Sequence, residues 1–175
     1  MGSTLDWTVR QLNIQPYQHL LEVGYGSGLL LTEVARALRI GYLAGIESSI
    51  PHYQKAYRRN RSFIRQQLMQ LHLGELYELS YPTQYFHTIY GSDSHCAWKN
   101  TGTECLRLSA LLKTGGQLVL VSKRRKDQDI RALASQLQES YLEAGFIDIS
   151  TEYRDLPSGT CVAVKGLKGD PLPYR

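Results

Sequence analysis

Three glycines, Gly24, Gly26 and Gly28, stand at alternate positions between the apolar run His19-Leu20-Leu21-Glu22-Val23 and a stretch in which Leu29, Leu30, Val34, Ala35 and Leu38 recur at helical spacing. A strand that passes into a helix through residues without a β-carbon must turn tightly and leave its backbone open to close approach. Strand, glycine turn and helix form the opening unit of an α/β chain, in which strands joined by helices pair mostly in parallel through right-handed crossovers.

The alternation continues. Thr4 to Leu12 reads as a leading helix stopped before Pro16, and Gly28 to Leu38 as the helix after the glycine turn. Gly41 to Ile46 is a second strand, followed by a helix capped by Ser48 or Ser49, with Pro51 early in it, reaching Gln67. Strands at Leu68 to Leu73 and Phe86 to Tyr90 come next, then a helix from Thr103 to Leu112 stopped by Gly115-Gly116, then the strand Gln117 to Val121. Asp127 caps a long helix ending at Gly145, and Phe146 to Tyr153 and Thr160 to Lys165 close the chain as a hairpin around Pro157-Ser158-Gly159. The expectation is one α/β domain with a doubly wound, mixed, seven-stranded sheet, mostly parallel with a C-terminal antiparallel hairpin. Residues 1–3 read as a cloning remnant.

Length and composition agree with this. The 175 residues, 42% hydrophobic, suffice for one substantial core. No apolar stretch approaches the ~18 residues of a membrane span, and no basic segment followed by an apolar one marks a secretory signal, so a cytoplasmic protein without membrane insertion is expected. Cys96, Cys105 and Cys161 lack C-x-x-C spacing, which argues for free thiols and no metal. A net charge of +4, with clusters Arg58-Arg59-Asn60-Arg61 and Lys123-Arg124-Arg125-Lys126, suits an anionic partner; the excess is modest, and nucleic acid is the less favoured partner.

The residues around the glycines narrow the ligand. A dinucleotide fingerprint would place its third glycine at position 29, which is Leu29. Glu22, just before the loop, could fix loop amides or face an ammonium group, and would be a poor neighbour for a pyrophosphate. Glu47 ends the second strand, where an acidic residue accepts hydrogen bonds from ribose hydroxyls.

Glu22-Val-Gly-Tyr-Gly-Ser-Gly28 with Glu47 resembles the class I S-adenosylmethionine-dependent methyltransferases, over nearly the whole chain. Trp7 to Pro16, Leu111 to Val119, Glu143-Ala-Gly-Phe146 and Val162 to Lys165 are similar to the small bacterial members related to the ubiquinone-type enzymes. The resemblance implies a Rossmann-like fold and S-adenosylmethionine as cofactor, bound by Glu22, Gly24, Tyr25, Gly26, Gly28, Glu47, Ser48, Glu75 and Tyr90. Glu47 would hold the ribose and Glu75 lie near the adenine, although the family usually has Asp at that point. His87 stands where the family usually has Asp, a position that supports structure more than chemistry.

Methyl transfer from a sulfonium depends mainly on alignment. Gly91 to Trp98, after the fourth strand, is the acceptor-side segment: Asp93 or His95 are weak candidates for a base, and Tyr90, His95 and Trp98 for substrate contacts. The segment lacks the Asn-Pro-Pro-Tyr pattern of amino-group methylases. With no long insertion to form a lid, the acceptor side is expected to be open, or completed by a second subunit of a homo-oligomer. The expected reaction is methylation of a small molecule; the alternatives are a nucleic acid methyltransferase and a non-catalytic cofactor-binding protein.

Overall fold

The computed structural model describes residues 3–92, 101–124 and 129–170. Helix α1 (Thr4–Gln11) is followed by β1 (His19–Val23), α2 (Leu29–Ala37), β2 (Tyr42–Glu47), α3 (Ile50–Arg59), α4 (Arg61–Arg65) and β3 (Met69–Leu73). A single 3-10 turn at Leu76–Glu78 leads to β4 (Phe86–Ser92), α5 (Thr101–Leu111), β5 (Leu112–Lys123), α6 (Ile130–Glu143), β6 (Phe146–Leu156) and β7 (Gly159–Lys168). The strands form one sheet in the order β3-β2-β1-β4-β5-β7-β6, parallel except where β7 pairs with β5 and β6. The expected doubly wound, mixed architecture is therefore the one observed.

The period-two alternation of each strand divides the core between the two faces of the sheet. Leu21, Ala44, Ile46, Leu118, Leu120, Val162 and Val164 pack with Cys105 and Leu108 of α5 and with Ala134, Leu137 and Tyr141 of α6. Their strand neighbours Leu20, Leu43, Val119, Val121 and Ala163 pack with Trp7 of α1, with Leu31, Val34 and Ala35 of α2, and with Ala56 of α3. Both faces are buried, which is why these strands read as nearly continuous apolar runs. Cys105 is a buried free thiol, and Cys161 is buried in β7.

Most strand and helix ends shift by a few residues from the sequence expectation, and three differences change how an element starts or stops. The helix after β2 does not run unbroken to Gln67: Asn60, at φ −100 and ψ 12, divides it into α3 and α4. Gly115-Gly116 does not stop α5, which passes directly into β5. There Leu112 pairs with Phe86 and Gln117 with Thr88, so residues 113–116 bulge from the ladder, and Gly115 takes φ +73. The N-cap of α6 is Asp129, whose side chain accepts from the amides of Arg131 and Ala132; Asp127 lies outside the described residues. Ser3, counted with the remnant, caps α1 through a reciprocal capping box with Asp6. Among the described residues no helix is long and apolar enough to cross a membrane.

The strand order reverses at β1, which has β2 on one side and β4 on the other. In open α/β sheets the crevice beyond the carboxyl ends of the strands at such a reversal is the ligand site. The glycine loop leaves β1 at this point.

Candidate functional site

Gly24, Gly26 and Gly28 all lie in the left-handed region, at φ +72, +52 and +75. The loop starts from the sheet, where the Gly24 amide donates to the Ile46 carbonyl at 2.8 Å, and it closes on itself through the Gly28 amide to the Tyr25 carbonyl at 2.9 Å. It is held from the side by Glu47. One carboxylate oxygen accepts the Gly26 amide at 2.8 Å, and the other accepts the Ser49 amide at 2.9 Å. The His52 imidazole lies 3.8 Å from that second oxygen. The carboxylate thus bridges the glycine loop and the N-terminus of α3, where negative charge is favoured. Fixing the loop amide, a role sequence left open to Glu22, belongs to Glu47.

Glu22 sits one strand away with a different partner. It pairs in register with Tyr90 of β4, and the Tyr90 hydroxyl donates to its carboxyl at 2.9 Å. Glu22 is 1% exposed. Burial raises its pKa to about 8, opposed by the Tyr90 hydrogen bond and assisted by the Glu47 charge. At neutral pH the carboxyl is therefore mostly protonated, and a cation brought against it would draw the proton off. Tyr90 is itself buried, and burial together with the Glu22 charge pushes its hydroxyl well above the ordinary phenol range.

Two glycines make room for neighbouring side chains. A β-carbon at Gly28 would fall 2.8 Å from the Ala56 β-carbon and from the Asn60 amide nitrogen, so Gly28 is where α2 meets α3. Asn60 is fully buried: its Nδ2 donates to the carbonyls of Gly28 and Ala56, both at 3.1 Å, and its Oδ1 accepts from the Thr32 hydroxyl at 2.9 Å. At Gly45 of β2 a β-carbon would lie 2.6 Å from the Tyr25 ring. Tyr25 folds down over that gap, and its hydroxyl donates to the His72 carbonyl at 3.1 Å. Its side chain pins the loop to β2 and β3.

Of the remaining residues named from sequence, Ser48 and Glu75 follow the carboxyl ends of β2 and β3. Ser48 is exposed, and the α3 cap is Ser49, which accepts from the His52 amide. Glu75 is exposed just past β3, where its amide donates to the Glu78 carboxylate at 2.6 Å. Asp93, His95 and Trp98 lie outside the described residues. His87 is at the opposite, amino-terminal edge; its Nδ1 accepts from the His19 amide at 3.0 Å and its Nε2 lies 3.2 Å from the Lys113 ammonium. Asn60 and Gly45 were not identified from sequence. Asn60 follows Ala56 at i+4 on the buried side of the helix, a signal hidden because it falls inside an arginine run.

The arrangement offers a loop with glycine at every second position, a buried carboxyl that among the described residues has no charged partner on one side, and on the other a carboxylate whose oxygens each accept one backbone amide. Two acids beside the loop oppose a phosphate and suit a ligand that carries a positive charge and hydroxyls.

No family model matches the chain. The chain is 21% identical over 154 residues, 86% of its length and 83% of the relative's, to YdaC of Bacillus subtilis, described as an uncharacterized methyltransferase. A SAM-dependent methyltransferase from Aquifex aeolicus has TM-score 0.77 at 12% identity, covering 94% of this chain and 89% of that one. The [4+2]-cyclase SpnF also has TM-score 0.77, at 19% identity over 94% of this chain and 79% of that one. A Haemonchus contortus phosphoethanolamine N-methyltransferase 2 in complex with S-adenosyl-L-methionine reaches 0.77 at 13% identity, covering 95% of this chain and 52% of that one. The fold is therefore the Rossmann-like fold of the S-adenosylmethionine-dependent methyltransferases.

Proposed function

We propose that the chain is an S-adenosylmethionine-dependent methyltransferase acting on a small-molecule acceptor, with the cofactor over the loop from Gly24 to Gly28. The observation that carries this reading is the pair of buried carboxyl groups flanking that loop. Among the described residues Glu22 has a phenol for a partner and no cation, so an ammonium group entering beside it would gain a counter-ion. Each Glu47 oxygen accepts one amide, and since a carboxylate has about four acceptor sites, room remains for two ribose hydroxyls. Gly24, Gly26 and Gly28, with the backbone of Tyr25 and Ser48, would form the bed for the methionine part, and Glu75 the adenine end.

Bound there, S-adenosylmethionine supplies a methyl group already activated by its sulfonium charge. The protein's own task is to orient and desolvate: the loop held by Glu47 fixes the donor's place, and Tyr90 holds Glu22 aimed at it. The segment after Ser92 is the acceptor side, where Asp93 or His95 would take up a proton and Trp98 would contact the acceptor. The likeness to YdaC supports methyl transfer, while SpnF, a cyclase on this fold, makes turnover the measurement that matters.

Thermal unfolding with S-adenosylmethionine, S-adenosylhomocysteine and NAD tests the site, because a ligand of the native state raises apparent stability by mass action. The first two should raise Tm and NAD should not; no response to the first two overturns the reading. Transfer of labelled methyl groups into a cell-extract metabolite fraction then separates an enzyme from a cofactor-binding protein.

A further inference from the structure

The net charge of +4 is unevenly distributed. From Ser48 to Gly74 there is no Asp or Glu, while Lys55, Arg58, Arg59, Arg61 and Arg65 contribute +5, so the rest of the chain sums to −1. All five side chains are exposed. Lys55, Arg58 and Arg59 share one face of α3 by their i, i+3 and i+4 spacing, and Arg61 and Arg65 share one face of α4. Among the described residues none of the five forms an ion pair with a carboxylate. An amphipathic surface helix ordinarily interleaves both signs, so five unneutralised cations within roughly 15 Å of helical rise amount to a polyanion footprint.

The side chains among these cations narrow the class of polyanion. Four of the five are arginines, whose planar fork matches phosphate oxygens bidentately. Tyr57 stands among them 43% exposed, its ring 6.1 Å from that of Tyr53, and can serve as a platform for an unpaired base. Phe63 and Ile64 are turned to the core, and the large apolar side chains exposed on α3 and α4 are Ile50 at the N-terminal end and Tyr57, too few for the apolar ridge with which a helix enters a lipid surface. Helix α3 is also packed against α2, β2 and β3 rather than projecting, which suits contact along a backbone better than entry into a duplex groove.

We propose that the outer face of α3 and α4 docks single-stranded RNA through its phosphates, with Tyr57 stacking on a base. The inner face of the same pair of helices carries Asn60, bonded to the Gly28 carbonyl, so a strand docked here lies about one helix diameter, ~10 Å, from the glycine loop. The inference does not depend on methyl transfer.

Fluorescence anisotropy of a labelled, unstructured RNA 20-mer, titrated with the full chain at several salt concentrations, tests it. The wild type should bind with a slope of log affinity against log salt of about −3, as four to five phosphates neutralised on a single strand require. A variant with Arg58→Gln, Arg59→Gln, Arg61→Gln and Arg65→Gln should lose at least tenfold. One with Arg10→Gln, Arg39→Gln, Arg131→Gln and Arg154→Gln, which removes the same charge from other exposed positions, should lose less than threefold. Tyr57→Ala should weaken binding without changing the salt slope. Equal losses in the two quadruple variants, salt-independent or absent binding, or tighter binding to duplex DNA or phosphatidylserine vesicles than to the RNA would each overturn the proposal.

Discussion

The buried Glu22 carboxyl sets an opposition between stability and binding. Its pKa is about 8 in the folded chain against an ordinary 4.5, so between those values the native state holds a proton that the unfolded chain has released. Stability contributed by this group is therefore complete below about pH 4.5, declines as pH rises, and levels off above about pH 8, with a total loss on the order of a few kcal/mol. Glu22→Gln retains an oxygen for the Tyr90 hydroxyl but cannot ionise. In urea unfolding of the ligand-free protein, the variant should match the wild type near pH 5 and exceed it by about 2 kcal/mol or more near pH 8.5. Parallel pH profiles for the two proteins would show that the carboxyl is ionised or hydrated in its site. Tyr90→Phe removes the hydrogen bond that holds the pKa down, so its stability should go on falling to a higher pH than that of the wild type.

At the scale of elements, the coupling that matters is between α2 and α3. Gly28 begins α2 at φ +75 with Ala56 and Asn60 against it, and Asn60 closes three hydrogen bonds where α3 breaks into α4. Gly28→Ala adds a clash to a left-handed strain and should cost about 2–4 kcal/mol. Asn60→Ala removes three side-chain hydrogen bonds from the α2–α3 contact and should cost about 1–3 kcal/mol, although the Gly28 carbonyl keeps the Thr32 amide and hydroxyl as donors. The sum should exceed the loss in the double variant, because both changes relax one contact; strict additivity in thermal or urea unfolding would mean the helices do not meet there. This is also where the limits of sequence reasoning lie. The glycine turn, Glu47 and the strand pattern were legible because a tight turn, a strand end and burial on both faces each leave a local mark. Asn60, Gly45 and the bulge at 113–116 were not, because each answers to a residue distant in the chain: Gly28, Tyr25 and His87, whose carbonyl a β-carbon at Gly116 would approach to 3.0 Å. The stop assigned to Gly115-Gly116 failed for the same reason, whereas the cap assigned to Asp127 belongs to Asp129, two residues on, a choice between two aspartates with equal capping propensity.

For the whole molecule the Glu22 carboxyl makes ligand binding a proton-linked event. In the ligand-free state Glu22 is largely protonated at pH 7, whereas beside a bound ammonium group the ionised form is favoured, so binding a cationic ligand expels a proton. Affinity should then rise with pH up to about 8 and level off above it, opposite in direction to the stability contributed by the same group. Calorimetric titration of S-adenosylmethionine at pH 7 in phosphate and in Tris, which differ in ionisation enthalpy, should give a difference corresponding to release of somewhat less than one proton. Glu22→Gln should bind more weakly and lose the buffer dependence, whereas Glu47→Ala should bind more weakly and keep it, because Glu22 is still present and the Glu47 carboxylate positions the loop. A wild-type heat that is the same in both buffers would remove Glu22 from the ligand's cationic end. The reading would then have to seek another counter-ion along the carboxyl edge, where Glu75 of the loop after β3 stands exposed.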